Sequence, residues 1–473
     1  MKNIHLALML ITLSVSTMAQ KSKKEVIKAI DLKSEEYSTI AKQIWNYAEV
    51  GFQETQSSAL LQETLAKAGF EVEKGVGGMP TAFIASYGQG KPVIAILGEF
   101  DALPGIAQEA VPEKKPIEGQ VAGHACGHHL FGTASAASAI AVKDWLIANK
   151  KQGTIRFYGT PAEEGGSGKV YMVREGLFRD VDAVVNWHPG AGNSASPGTS
   201  LANKTGKFRF YGVASHAAAA PHRGRSALDA VEAMDAMVNM MREHVTQETR
   251  IHYVITRGGE APNVVPAFAE VYYYVRHPDR TEVKNVWERI VNAAKGAALG
   301  TDTKVEIEIT GGVHDLLPNE TLAKAMYANL KEVGGYTLTD EEKAFGMEIQ
   351  KTFTGKIPPL GSTQEVAEYQ LRAGTASTDV GDISWVVPTV GMSAATWVPG
   401  TAAHSWQAVA AGGTSIGVKG MMIAAKSMAL MAIDLYSNPA LLADAWKEFE
   451  AKTVGFKYEA LIGDRPPALD YRK

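Results

Sequence analysis

The feature that most constrains the fold is an alternation of short apolar strands and helices over the first 190 residues. Apolar runs at Pro92–Leu97, Thr154–Thr160 and Asp182–Trp187 predict buried strands. Helical spacing of apolar residues predicts helices between and before them, among them the Ala-rich stretch Leu130–Asn149. Because such alternation is typical of parallel sheets covered by helices, we predict an α/β fold with a mostly parallel central sheet.

The pattern changes near Ser200, where strands and helices follow in the order βαββαβ. The predicted strands are Lys207–Val213, Ile251–Thr256, Ala269–Arg276 and Lys304–Ile309, and the helices are Ser226–His244 and Val283–Leu299. This order predicts a small α/β domain inserted at a surface loop of a larger one. We assign residues 20–205 and 314–473 to the main domain and 206–313 to the insertion. The charged and Pro/Gly-containing stretch 341–361 predicts a loop near the mouth of the site.

Composition and the first residues narrow the class of protein. Hydrophobic residues make up 45%, charged residues 21%, and the net charge is −4, as in ordinary soluble proteins without a nucleic-acid partner. Lys2, the apolar stretch Ile4–Val15 and Thr17-Met18-Ala19 predict a cleavable signal peptide at 1–19, hence a periplasmic or secreted protein. An uncleaved anchor is the alternative, but the stretch is shorter than the roughly 20 residues of a span. No later segment is expected to cross a membrane.

Metal-competent side chains follow several predicted strands. In an open α/β sheet, sites collect beyond the carboxyl ends of the strands, so we expect these side chains to converge. In chain order they are Glu99 and Asp101, the segment His124-Ala125-Cys126-Gly127-His128-His129, Glu163-Glu164, His188 and His404. The last of them, His404, follows a predicted strand at Thr389–Thr396.

Cys126 is the single cysteine, so the chain cannot form an internal disulfide even if it is exported. Ligation would protect its thiolate, and thiolate with imidazole suits zinc-like and other first-row ions. The alternative is a small buried core residue.

In the Glu163-Glu164 pair, one carboxylate can bind metal while the other acts as a general base. The alternative there is a solvated acidic turn, and His188 or His404 alone would be ordinary core or loop residues.

Eight ordered motifs carry a resemblance over most of the chain. They are GEFDALPG, HACGHH, TPAEEGG, VVNWHPG, ASHAAAAPHRGRSALDA, GGEAPNVVP, ASTDVGDISWVVPT and PGTAAHSWQ. Together they resemble the amidohydrolase branch of the co-catalytic metallopeptidase family, which includes carboxypeptidases, aminoacylases and auxin-conjugate hydrolases. The group that hydrolyses aminobenzoyl-glutamate is the most similar. His129 departs from the pattern, which has Asp in the wider branch and usually Asn in that group, and its role stays open.

The resemblance implies two divalent metal ions per subunit, zinc or manganese. It implies five ligands, namely Cys126, His128, Glu164, His188 and His404. It further implies that Glu163 is the general base and that Asp101 supports a ligand. It also implies a metallopeptidase domain with a smaller lid domain that forms a homodimer.

In that dimer, His216 would reach across to polarise the substrate carbonyl, and Asn263 would contact substrate. Without the resemblance, His216 is an ordinary surface histidine. Because a carboxylate matches the guanidinium fork, Arg276 and Arg372 are candidates for binding a substrate carboxylate. For each, a structural salt bridge is the alternative.

The expected reaction is hydrolysis of an amide bond between an acyl or aroyl group and an amino acid, with an aminobenzoyl-glutamate-like small molecule favoured. A dipeptidase or carboxypeptidase, or a general N-acyl amino acid hydrolase, is the alternative enzyme. A regulatory chain that needs a homologous second subunit is the non-enzyme alternative.

Overall fold

The computed structural model describes residues 23–472, so the predicted signal peptide lies outside the described residues. The strands are β1 Glu71–Lys74, β2 Phe83–Gln89, β3 Val93–Gly98, β4 Leu103–Pro104, β5 Ala122–Gly123, β6 Gly153–Gly159, β7 Ala183–Val185, β8 His188–Gly190, β9 Ala202–Tyr211, β10 Arg250–Arg257, β11 Phe268–His277, β12 Lys304–Val313, β13 Thr389–Val390 and β14 Ser393–Ala395.

The helices are α1 at 23–32, α2 Ser34–Tyr47, α3 Thr55–Lys67, α4 His128–Ala148, α5 Glu163–Gly166, α6 Gly168–Arg174, α7 Ala227–Met241, α8 Arg280–Gly300, α9 Glu320–Val333, α10 Asp340–Gln350, α11 Val380–Ser384, α12 Trp406–Gly412, α13 Ser415–Ser437 and α14 Pro439–Lys452. Short 3-10 turns lie at Val76–Gly78, Pro221–Arg223, Arg242–His244 and Leu360–Gln364.

A six-stranded sheet in the order β1-β2-β6-β3-β7-β13 forms the centre of the molecule. The pairings of β3 with β6, β3 with β7 and β7 with β13 are parallel, and β1 and β2 are antiparallel. All six residues of β3 are buried, as its continuous apolar run requires in a sheet covered on both faces. The prediction of an α/β fold with a mostly parallel central sheet is confirmed.

A second sheet of four antiparallel strands has the order β10-β11-β9-β12. Helices α7 and α8 cover this sheet. The six strands and helices of the unit follow each other in the βαββαβ order that the sequence predicts. A separate apolar core holds sheet and helices together, including Phe208, Tyr273 and Trp287. Strand β9 begins at Ala202, five residues before the predicted strand, since its first residues pair with the end of β12.

Two helices, α4 and α13, are long and apolar enough to cross a membrane by length and composition, contrary to the expectation for segments after residue 19. They are 89% and 83% buried within the protein, where they pack against each other beside the central sheet. Burial inside the fold gives their apolar surfaces a protein partner, which is the behaviour of core helices.

Two local predictions were wrong. The stretch predicted as a loop at 341–361 contains helix α10, whose start is fixed by a capping box between Thr339 and Glu342. Charge on an exposed helix face concealed this signature. The predicted strand Thr389–Thr396 is two short strands, because Gly391 and Met392 turn the chain from a pairing with β7 to one with β8.

Gly132 on α4 tests how closely this helix approaches β3. A Cβ at Gly132 would lie 2.8 Å from the Glu99 carbonyl oxygen and 3.0 Å from Leu61 Cδ1. We expect Gly132→Ala to lower the free energy of unfolding by about 1–3 kcal/mol, as overpacking does. Gly296→Ala on α8 is the control, since its nearest atom, Met237 Cε, is 4.0 Å away.

For the control, a Cβ without a clash should leave stability unchanged or raise it by about 0.4–1 kcal/mol. Denaturant unfolding of both variants measures the difference. Equal stabilities of the two alanine variants would contradict the close approach of α4 to β3.

Candidate metal centre

A cleft of about 950 Å³ opens beyond the carboxyl ends of the parallel strands. It is lined by side chains that follow β3, β6 and β7, together with residues from β9, β11 and the 372–379 segment. Four of the predicted ligands line it, namely Cys126, Glu164, His188 and His404. The predicted convergence beyond the strand ends is therefore what the structure contains.

Cys126 belongs to two groups of metal-competent atoms. In the first, its sulfur lies with donor atoms of His128 and His188; in the second, it lies with those of Glu164 and His404. Within each group all donor atoms are within 4.8 Å of one another. The sulfur is 3.4 Å from His188 Nε2, and His404 Nε2 is 3.2 Å from Glu164 Oε1. The arrangement offers two neighbouring cation positions that share one thiolate.

The imidazoles are oriented by their other ring nitrogens. His128 Nδ1 lies 2.8 Å from Asp101 Oδ1, and His188 Nδ1 lies 2.7 Å from the Pro189 carbonyl oxygen. An N–H that donates to each acceptor leaves the Nε2 lone pair free for a cation. Asp101 Oδ2 also accepts the backbone N–H of Glu164 at 2.9 Å, so one carboxylate supports a ligand in each group.

The backbone around these candidate ligands adopts conformations that few residues tolerate. Gly127, before α4, has φ +77°, and a Cβ there would lie 2.7 Å from Pro189 Cβ. Ala162 and His404 have φ of +56° and +60° without being glycine. Glu54 holds the Ala162 turn by accepting its N–H at 2.8 Å. Strained backbone conformations of this kind persist only where the surrounding structure fixes them, and they are common at functional sites.

The donor atoms fit divalent cations. Among the described residues, His128 Nε2, Glu99 Oε2 and Glu164 Oε1 are buried and make no hydrogen bond of ordinary geometry, although Glu99 Oε2 lies 3.0 Å from His128 Nε2 and Glu164 Oε1 lies 3.2 Å from His404 Nε2. Burial raises the pKa of the Cys126 thiol, so a thiolate in this place needs a cation beside it. The set of one sulfur, three imidazoles and one carboxylate suits first-row divalent metals.

Glu163 lies next to the two groups that contain Cys126 but is a member of neither. Its oxygen lies within 4.8 Å of donor atoms of Glu99 and His128. Burial raises the pKa of Glu163 well above its ordinary value, and the charges of Glu99 and Glu164 raise it further. A carboxyl group with a raised pKa is suited to taking and returning a proton near neutral pH.

A buried ion network behind the ligands was not predicted. Lys169 Nζ lies 2.7 Å from Glu99 Oε1 and 2.7 Å from Asp379 Oδ1, and all three side chains are buried. Glu99 Oε2 is in turn 3.0 Å from His128 Nε2. Asp379 lies in the ASTDVGD motif, and Lys169 precedes the apolar run Val170–Val173, a placement that a surface lysine would not favour.

The remaining predicted residues divide into two sets. Arg276 and Arg372 line the cleft, whereas His216 and Asn263 do not. His216 is exposed on the four-stranded domain beside Asn263, whose carbonyl accepts the Ala217 N–H at 3.0 Å. Within one subunit, these two residues contact neither candidate ion position.

His124 and His129 lie behind the ligands, in the core. His124 Nε2 is 3.0 Å from the Ile44 carbonyl oxygen, and His129 Nε2 is 3.0 Å from that of Gly412. Burial lowers the pKa of both imidazoles, which favours their neutral form. His129 thus ties α4 to the end of α12.

Known proteins resemble this chain in sequence and in fold. Residues 95–363 match the model of the peptidase family M20/M25/M40. One of the subunits of the p-aminobenzoyl-glutamate hydrolase of Escherichia coli (strain K12) is 44% identical over 452 residues, which cover 90% of this chain and 94% of that protein. The Xaa-Arg dipeptidase of Mus musculus is 29% identical and covers 91% of this chain and 92% of its own.

Solved structures share the fold. An aminobenzoyl-glutamate utilization protein from Klebsiella pneumoniae superposes with a TM-score of 0.63 at 18% identity, over 86% of this chain and 97% of that one. A dinuclear metal-binding peptidase of the M20 family from Bacillus subtilis gives a TM-score of 0.57 at 17% identity, over 87% and 99%.

Asp101 provides a test of the geometry, because it contacts His128 and the amide of Glu164 at once. In Asp101→Asn, the amide NH₂ would face the Glu164 N–H, and that bond is lost. We expect metal affinity to fall about 10–100-fold, the usual effect of removing a residue that orients ligands. Competition with a chromophoric chelator measures it.

The control is Asp180→Asn, at a carboxylate that pairs with Arg156 near the surface. It should bind metal as the unaltered protein does. Unchanged affinity in Asp101→Asn would show that Asp101 does not support the ligands.

Proposed function

The chain belongs to the peptidase family M20/M25/M40 and is a metal-dependent hydrolase, and from this we propose that its substrate is an aminobenzoyl-glutamate-like amide. The bond cleaved joins an aroyl or acyl group to an amino acid. One observation carries the proposal, the two ligand groups that share Cys126 with Glu163 alongside. The name of the Escherichia coli relative supports the choice of substrate.

We propose that two divalent ions occupy the two groups, one held by Cys126, His128 and His188 and the other by Cys126, Glu164 and His404. When bound, such ions activate water and polarise an amide carbonyl. The thiolate and imidazoles favour zinc, while manganese also accepts carboxylate and imidazole. Asp101 keeps His128 and Glu164 in place for both ions.

Glu163 moves the protons of the reaction. Its carboxylate takes a proton from the attacking water and returns it to the nitrogen of the leaving amine. Its raised pKa makes it basic enough for the first transfer and acidic enough, once protonated, for the second. Next to Glu163, Lys169 pairs with both Glu99 and Asp379. These ion pairs fix the position of the negative charge of Glu99 beside the Glu163 carboxyl group.

Arg276 is the better of the two candidates for binding a substrate carboxylate. It lines the cleft at the end of β11, and its buried Nε has no hydrogen-bond partner among residues 23–472. Arg372 is exposed and faces the side-chain amide of Gln370. A buried guanidinium N–H without a partner is costly, so a bound carboxylate would satisfy it.

We further propose a homodimer through the four-stranded domain, with His216 and Asn263 completing the cleft of the partner. Both residues are exposed, and neither lines the cleft of its own chain. Exposed apolar side chains on the same domain, Met240 and Val254, support an interface there. The Escherichia coli relative is named as one part of a hydrolase with more than one kind of chain, which supports a possible homologous second subunit.

For location, we propose export to the periplasm or outside the cell. The support is the pattern of residues 1–19, a positive residue, an apolar stretch and small residues before the expected cleavage point. A single cysteine is compatible with an oxidising compartment when a metal holds it.

Glu163→Gln tests the general base. The amide is nearly isosteric and leaves the ligand groups intact, so the metal content should not change. We expect kcat to fall at least about 10²-fold, the contribution of a general base, and the acidic limb of the pH–rate profile to disappear. Glu73→Gln on the exposed strand β1 is the control. Turnover close to that of the unaltered protein would exclude this role.

Arg276→Gln tests the substrate class. The unaltered protein should hydrolyse aminobenzoyl-glutamate faster than N-acetyl amino acids or dipeptides. Loss of a charge-assisted bond should raise KM for aminobenzoyl-glutamate about 10–100-fold. The KM for its diamide, which lacks the carboxylates, should change little. Arg372→Gln is the matched control. A dipeptide as the best substrate would favour the dipeptidase alternative.

A further inference from the structure

The segment after α14, residues 453–472, returns to the metal centre. At its end the Tyr471 hydroxyl donates to the Glu164 carbonyl oxygen at 3.0 Å, and Arg472 Nη2 donates to the same oxygen at 2.8 Å. Arg472 also lines the cleft. Two donors that lie about three hundred positions after Glu164 in the sequence therefore bind the same backbone carbonyl of this candidate ligand.

That carbonyl belongs to a strained turn. Glu164 has φ −71° and ψ +65°, and it stands between Ala162 with φ +56° and Gly165 with φ +94°. Such a turn does not continue the helix hydrogen bonds, so its peptide groups need other partners. Asp101 accepts the Glu164 N–H, while Tyr471 and Arg472 donate to its C=O. Both polar backbone groups of Glu164 are thus fixed, and its carboxylate is left to face Cys126 and His404.

The socket for Tyr471 is shaped for that side chain. Its ring packs edge-to-face on Phe52 with centroids 5.7 Å apart. A Cβ at Gly51 would lie 2.2 Å from the hydroxyl oxygen, so no larger residue fits there.

The rest of the segment is anchored away from the metal centre. Arg174 Nη1 donates to the carbonyls of Gly463 and Arg465 at 3.0 and 2.8 Å. Gln53 Nε2 donates to the Leu469 carbonyl at 2.7 Å. These bonds bring the segment past α6 and deliver Tyr471 and Arg472 to the turn without contacting Glu164 themselves.

We propose that Tyr471 and Arg472 are positioning residues that orient the Glu164 carboxylate for the cation position it shares with Cys126 and His404. This inference rests on the proposed function, in which Glu164 binds one of two metal ions. Losing either donor frees the Glu164 peptide to rotate, and the carboxylate then leaves the geometry that the second ion requires. Within the described residues 453–472, no side chain hydrogen-bonds to His128 or His188, so the other position, held by Cys126, His128 and His188, keeps its affinity.

Stepwise metal titration tests the proposal. Metal-free full-length protein and its Tyr471→Phe, Arg472→Gln and double variants are titrated with Zn²⁺ and, separately, Mn²⁺ against a competing chelator. We expect the affinity for one equivalent to fall about 10–100-fold and that for the other to stay unchanged. Arg472→Lys, which keeps one donor and the charge, should recover part of the loss.

Tyr171→Phe is the matched control, because the Tyr171 hydroxyl donates to the Pro466 carbonyl of the same segment at 3.4 Å without touching Glu164. It should bind both equivalents normally. Normal binding by the Tyr471 and Arg472 variants would overturn the positioning role, as would an equal loss in Tyr171→Phe. Fewer than two equivalents bound by the unaltered protein would instead overturn the two-metal function on which the proposal rests.

Discussion

The concentration of negative charge in the cleft is the constraint on which this structure depends. Five carboxyl groups meet there with one lysine, Lys169, and the thiol of Cys126 lies among them; the carboxyl groups are Glu99, Asp101, Glu163, Glu164 and Asp379. Taking that many charges out of water is unfavourable unless cations or protons balance them. Lys169 neutralises only the Glu99 and Asp379 side. Two divalent ions would supply the remaining positive charge. Burial, and after it the neighbouring carboxylates, raise the pKa of Glu163.

The scaffold holds this charge by fixing the backbone more than the side chains. Gly127, Ala162 and His404 all have positive φ at the points where ligands leave the regular elements. Glu54 and Asp101 accept backbone N–H groups of the Ala162–Glu164 turn, so buried carboxylates serve as its hydrogen-bond partners. Since strained turns persist only where their surroundings over-determine them, the ligand geometry is a property of the whole cleft.

The sequence could predict that these candidate ligands converge, because Glu164 and His188 follow apolar strands and strand ends of a parallel sheet meet at one edge. Cys126 and His128 lie instead at the start of α4, after the short antiparallel strand β5. The sequence could also predict the βαββαβ unit, whose alternation is local. Helix α10 was missed although its capping box is a local signal, because a charged helix face has the composition of a loop. Lys169 shows a different limit. Nothing local tells that a lysine two residues after Ser167 pairs with Glu99 and Asp379, which are far away in sequence.

The roles of Tyr471 and Arg472 could not be predicted from the sequence for the same reason, because their partner is a backbone carbonyl about three hundred positions earlier. Their segment also joins the two sheets, because the Arg465 guanidinium donates to the Ile309 carbonyl on β12. On that strand, Gly311 passes close to the turn, where a Cβ would lie 3.9 Å from the Gly165 carbonyl oxygen. The four-stranded domain and the Glu164 turn therefore share one tether. Through Arg465 on one side and Tyr471 and Arg472 on the other, this segment hydrogen-bonds both to β12 of the four-stranded domain and to the Glu164 carbonyl.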